Sequence, residues 1–150
     1  MSNQAGIILH ERQQAVPDSS VHRKRVLVFS PDADLARFLL LNLEEKFQIV
    51  REHRLEQFES AVKEILPDLI VIDLFAFSPD IIKQLDIIRR MAKTVPIIAL
   101  RAYMSLTAEM NKSIDDLTDV VFYKPIDVEL ITQTIEDVLN KHESDLTVKE

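Results

Sequence analysis

Leu69-Ile70-Val71-Ile72-Asp73 is an unbroken apolar run that ends in an aspartate. Further along, Val120-Val121-Phe122-Tyr123 ends in Lys124-Pro125. Apolar runs without alternation mark strands buried on both faces, as in a parallel sheet covered by helices. Such sheets place their ligand crevice at the carboxyl ends of the strands. Asp73 and Lys124 are therefore expected to meet in one crevice.

The flanking sequence supports that sheet. Arg25-Val26-Leu27-Val28-Phe29 reads as a first strand. Ser30-Pro31-Asp32 then opens a helix, with Ser30 as N-cap, Pro31 at the first helical position and Asp32 in the first turn. Its buried stripe is read as Leu35, Phe38, Leu39 and Leu43. Residues 47–53 form a second strand, and Leu55 to Leu66 an amphipathic helix that Pro67 stops. Strand three is residues 69–73. Ser78-Pro79-Asp80 repeats the helix-start signal, and that helix runs to about Met91. Strand four is residues 95–100, and a helix over 105–117 presents Leu106, Met110 and Ile114. Strand five is residues 119–123. Asp127 caps a last helix with the stripe Val128, Ile131, Ile135, Val138 and Leu139. Alternation of this kind gives an α/β domain, a flavodoxin-like (βα)5 sheet in the order 2-1-3-4-5 with helices on both faces. Residues 1–23 are polar and read as a flexible extension, 24–142 as the domain, and 143–150 as a flexible tail.

Composition narrows the function. A chain of 150 residues with 47% apolar content suits one domain with a real core. There is no cysteine, so disulfides and thiolate metal sites are excluded, which fits a reducing cytoplasm. No apolar stretch reaches membrane-spanning length. The net charge of -7 argues against nucleic acid. The basic cluster His22-Arg23-Lys24-Arg25 reads as a solvated flank. A single glycine excludes the Gly-rich phosphate loops. The four histidines are scattered without ligand spacing, and no nucleophile elbow appears, so no enzymatic activity is expected.

Several landmarks then fall in order. Arg25-Val26-Leu27-Val28, Pro67 through Leu74, Val95-Pro96-Ile97-Ile98-Ala99-Leu100 and Tyr123-Lys124-Pro125-Ile126-Asp127 together resemble the receiver domain of bacterial two-component response regulators. The resemblance covers residues 25–141. It implies that Asp73 stands at the phosphoacceptor position, beside Lys124.

The same resemblance exposes departures. The family carries an acidic pair after strand one that holds Mg²⁺; here those positions are Ser30 and Pro31. Asp32 follows, as a weak metal candidate whose simpler reading is a helix-dipole partner. The switch hydroxyl at the end of strand four is replaced by Arg101, followed by Ala102. The coupled aromatic of strand five is Val121. Beyond the acceptor, Ala76-Phe77 and Asp80-Ile81 depart from the usual loop. Phe75 and Phe77 read either as core or as a cover over the crevice. The site is thus expected to carry its own cations, with Asp73 paired to Lys124 or to Arg101; Arg101 as a solvated loop residue is the simpler alternative.

The expected function follows: a stand-alone pseudo-receiver, cytoplasmic, without cofactor. It would bind another signalling protein, a histidine kinase or downstream effector, or a second copy of itself as a homodimer, and neither nucleic acid nor membrane. The family's usual contact face would here include Met104, Glu109, Lys112, Tyr123 and Leu130; Leu40 and Leu41 lie outside the stripe of the first helix. One alternative is an atypical receiver phosphorylated on Asp73 with Mg²⁺ held through Asp32 and water. Another is a flavodoxin-like binder of a small ligand or flavin.

Overall fold

The computed structural model describes residues 23–74, 79–103 and 106–149, with side chains described as far as residue 145. Five strands alternate with five helices: β1 (Arg25–Phe29), α1 (Ala33–Leu43), β2 (Gln48–Glu52), α2 (Leu55–Ile65), β3 (Leu69–Asp73), α3 (Pro79–Met91), β4 (Ile97–Arg101), α4 (Ala108–Leu117), β5 (Val120–Tyr123) and α5 (Val128–Lys149). All strand pairs are parallel and the order is β2-β1-β3-β4-β5, as the sequence pattern predicts. Among the described residues, no helix is long and apolar enough to cross a membrane.

Side-chain alternation divides the core into two layers. Leu27, Phe29, Ile70, Ile72 and Ala99 pack with Phe58 and Val62 of α2, Leu85 and Ile88 of α3, and Ile114 of α4. Val26, Val28, Val71, Ile98 and Leu100 pack on the other face with Leu39 and Leu43 of α1 and Ile131, Ile135 and Leu139 of α5. β3 and β4 are buried along their whole length because both faces are covered, whereas the edge strands β2 and β5 are partly exposed. The register sets Phe29 against Ile72, Asp73 against Leu100, and Arg101 against Tyr123. That alignment brings the ends of the strands to one edge.

Four expectations change. Asp32, not Ser30, is the N-cap of α1: its Oδ1 accepts from the N–H groups of Asp34 and Leu35, at 3.0 and 3.2 Å. The helix therefore starts two residues later than the triplet suggests, at Ala33 and not Pro31, and Ser30 is freed to turn inward. Phe38 leaves the buried stripe and is 42% exposed; α1 is rotated so that Ala36, Leu39 and Leu43 face the sheet. The basic cluster is not a solvated flank in its described part. Arg23 donates to the carbonyls of Glu44 and Phe47 at the end of α1, and Arg25 donates to the Ile65 carbonyl at the end of α2. Cations at helix C-termini satisfy carbonyls that lack an intrahelical partner. Lastly, α5 continues to Lys149, past residue 142 where a polar tail was expected. No Gly or Pro interrupts residues 143–149, and Glu143 forms an ion pair with Lys24. Ser78, Phe75 and Phe77, and the Ser105 start of the fourth helix, lie outside the described residues.

Leu66 closes α2 in the left-handed region, at φ 51 and ψ 63, and its side chain is exposed. An L-residue there costs about 1 kcal/mol that glycine avoids. Leu66→Gly is expected to stabilise the protein by ~0.5–1 kcal/mol, read as a higher urea midpoint with an unchanged slope. The hydrogen bond to Lys24 holds the Glu143 carboxyl below its ordinary 4.5, and the reciprocal bond raises the Lys24 ammonium above 10.5. The pair therefore supports the end of α5 at neutral pH. That support is lost as acid protonates Glu143 below its lowered pKa, and again as alkali removes the Lys24 proton. Backbone carbon shifts of residues 143–149 are expected to move toward coil values below about pH 4, and Glu143→Gln should abolish that acid transition.

Candidate functional site

The crevice lies where β1, β3, β4 and β5 end, and a carboxylate sits at its centre. Asp73, the last residue of β3, is fully buried. A carboxylate removed from water needs compensating charge and hydrogen bonds. Ser30, buried just past β1, donates from Oγ to Asp73 Oδ2 at 2.7 Å. The hydroxyl is itself oriented by the Asp32 N–H, which donates to Ser30 Oγ at 3.0 Å, while the Ser30 N–H donates to the Glu52 carbonyl at 3.0 Å. Lys124 reaches in from beyond β5 and sets its Nζ 2.7 Å from Asp73 Oδ1. This contact is an ion pair between a buried carboxylate and a partly exposed ammonium. The Lys124 peptide nitrogen donates to the Arg101 carbonyl at 2.8 Å, which fixes the backbone from which the ammonium extends. The Lys124–Pro125 bond is cis.

Arg101 ends β4 and is buried. It is not a solvated loop residue. Its Nη1 donates to Asn111 Oδ1 of α4 at 3.1 Å, and its guanidinium carbon lies 5.2 Å from the centre of the Tyr123 ring. Tyr123 in turn stacks on Tyr103 at 4.3 Å and 11°. A guanidinium over an aromatic face gains from the ring quadrupole, more so when desolvated. Arg101 thus joins α4 to β5 and backs an aromatic pair that is largely exposed at Tyr103 and partly at Tyr123.

The remaining expected residues fall as follows. Val121 is half-buried and packs against the core on the α2–α3 side. Glu109 and Lys112 are exposed on α4, where Asp116 hydrogen-bonds Lys112 and raises its ammonium pKa. Leu130 is exposed on α5. Met104 lies outside the described residues. Sequence reasoning passed over Ser30, Tyr103 and Asn111 as site residues. Ser30 reads from the sequence as an N-cap and as a poor metal ligand, although its place one step beyond Phe29, which is registered against Ile72, sets it beside Asp73. Tyr103 and Asn111 carried no signal until the pairing of Arg101 with Tyr123 was known.

No protein-family model matches the sequence, and no curated protein matches it. Solved structures do. A signal receiver domain from Vibrio parahaemolyticus superposes with a TM-score of 0.73 at 18% identity, covering 85% of this chain and 98% of that one. A CheY-like response regulator receiver domain from Methanospirillum hungatei JF-1 gives 0.74 at 17% identity, with 82% and 98% covered. The receiver domain of the Francisella response regulator 1452 gives 0.68 at 22% identity, with 79% and 98% covered. The fold is that of response-regulator receiver domains.

In the receiver fold the resemblance implies a Mg²⁺ ion beside the acceptor aspartate, and the donors here do not fit one. Mg²⁺ takes an octahedron of hard oxygens, usually several waters with one or two carboxylates free to face the ion. Pro31 offers no ligand, and the Ser30 hydroxyl is directed at Asp73. Asp32 caps its own helix through Oδ1. Asp73 has an ammonium at 2.7 Å. No group of three or more His, Cys, Asp or Glu side chains gathers among the described residues.

The ion pair sets the stability of this edge. Lys124→Ala leaves a buried carboxylate without its cation and is expected to cost about 3 kcal/mol in urea unfolding, the lower end of the range for buried pairs because Lys124 is a quarter exposed. Ser30→Ala is expected to cost ~1–2 kcal/mol. Adding Asp73→Asn to Lys124→Ala should recover part of the loss, since the uncompensated charge disappears.

Proposed function

We propose that this protein is a pseudo-receiver: a signalling protein of the response-regulator type that acts by binding another protein and does not run a Mg²⁺-dependent phosphorylation cycle. The observation that carries this reading is the state of Asp73. Its carboxylate is fully buried, with Ser30 on one oxygen and Lys124 on the other. A nucleophilic carboxylate must present a free oxygen in line with the phosphorus, with a cation placed on the transferring oxygens. Here the fixed cation is an ammonium already neutralised by the carboxylate, and the metal's carboxylate ligands are missing. Asp73 therefore serves as a structural anion and not as an acceptor.

The surface this leaves for signalling is the α4–β5–α5 face. It includes Tyr123, Tyr103, Glu109, Lys112 and Leu130, with Arg101 fixing the tyrosine pair from beneath. Tyrosine and arginine are the residue types that dominate interface energetics. The partner is a kinase, an effector or a second copy of this chain. The acidic balance of -7 disfavours nucleic acid.

The test is incubation of the protein with Mg²⁺ and acetyl phosphate, followed by intact mass measurement. The expected result is an unmodified mass and no change in melting temperature on adding Mg²⁺. A phosphoryl adduct that disappears in Asp73→Asn overturns the proposal and makes the protein an atypical working receiver.

A further inference from the structure

A second cavity opens at the same end of the sheet, on the far side of Ser30 from Lys124 in strand order. It lies between the start of α1 and the end of the edge strand β2 and has a volume of about 580 Å³. Strand alternation sends Ile49 into the α1–α5 layer of the core and Val50 into the opposite layer, so Arg51 and the following His53 share the α1 side with Ile49. Facing them are Pro31, Ala33 and Ala36, small side chains where a larger one would fill the space. The floor is apolar, and the rim carries the Arg51 guanidinium with the His53 imidazole beside it. Neither the Arg51 guanidinium nor the His53 imidazole makes a side-chain hydrogen bond or ion pair among the described residues.

The acids nearby do not cancel that rim. Glu52, on the strand between them, accepts from the N–H groups of His53 and Arg54 at 3.1 and 2.9 Å and lies 3.7 Å from Arg54 Nε. Asp32 is turned onto the first N–H groups of α1. The volume falls within the range of small-molecule sites, and the cavity opens at the carboxyl ends of β1 and β2. An apolar floor with two donors at one edge selects an amphipathic organic anion. The floor takes a flat hydrocarbon body, and Arg51 with His53 takes a carboxylate, sulfonate or phosphate.

We propose that the α1–β2 cavity is a binding site for a small organic anion with an apolar body, recognised through Arg51 and His53. The proposal does not rest on the pseudo-receiver reading, because the recognising side chains, Arg51 and His53, are not the partners of Asp73, which are Ser30 and Lys124. Occupancy is nonetheless placed to be felt there. Ser30, which donates to Asp73, and Glu52, whose carbonyl accepts the Ser30 N–H, both line the cavity.

The test uses 1-anilinonaphthalene-8-sulfonate as the probe, titrated by fluorescence and calorimetry, with amide shifts recorded on the full chain. The expected result is saturable one-to-one binding, with shifts concentrated at residues 33–36 and 49–53. The Arg51→Gln/His53→Gln variant, altered only at exposed positions, should bind about tenfold more weakly. The uncharged analogue N-phenyl-1-naphthylamine should lose a similar factor against the unaltered protein. Ala33→Leu, which fills the cavity from its apolar side, should weaken both probes. Unchanged affinity in Arg51→Gln/His53→Gln, shifts confined to other surfaces, or no saturable binding would each overturn the proposal.

Discussion

A negative charge inside a parallel sheet has to be neutralised where it stands. Asp73 closes the central strand β3, and the strands on either side leave it no route to water. The arrangement around it answers that constraint. β1 delivers the Ser30 hydroxyl, and the turn after β5 delivers the Lys124 ammonium. Because the two partners come from strands on opposite sides of β3, the carboxylate fastens the width of the sheet at its functional edge. Loss of either partner would be felt by two layers of core at once, since the strand residues beneath belong alternately to both.

On the proposed pseudo-receiver reading, the same constraint sets this site apart from one built for phosphoryl transfer. A working acceptor site keeps an excess of carboxylates so that a metal is required to balance them. Here the balance is internal. Arg101 adds a second cation, and its described contacts run to α4 and to the tyrosine stack. Where the resemblance to receivers implies a movable hydroxyl, this chain has a bulky, permanently charged group held on two sides, which ties α4 to β5.

Most of this was legible in the sequence, and the reasons are physical. Apolar runs without alternation gave the buried strands, and their order followed from the βα connections. The meeting of Asp73 with Lys124 followed from the rule that strand ends share one crevice. What the sequence concealed was rotation and reach. Ser30 and Asp32 both suit a cap, and only the geometry shows Asp32 capping while Ser30 turns to Asp73. Phe38 has the spacing of a core residue, but the smaller Ala36 takes the place facing the sheet. The basic cluster looked solvated because its acceptors are backbone carbonyls, which no residue pattern advertises. The end of α5 carries an ion pair between residues more than a hundred positions apart.

That cluster bears on where an independently folding unit begins. Arg23, Lys24 and Arg25 each reach a different helix: the first the end of α1, the second Glu143 on α5, the third the end of α2. Three consecutive side chains therefore gather helices from both faces of the sheet before the first strand is complete. Trimming the protein at the onset of β1 would keep the Arg25 anchor on α2 but strip away the two on α1 and α5, so a fragment that keeps all three begins no later than Arg23.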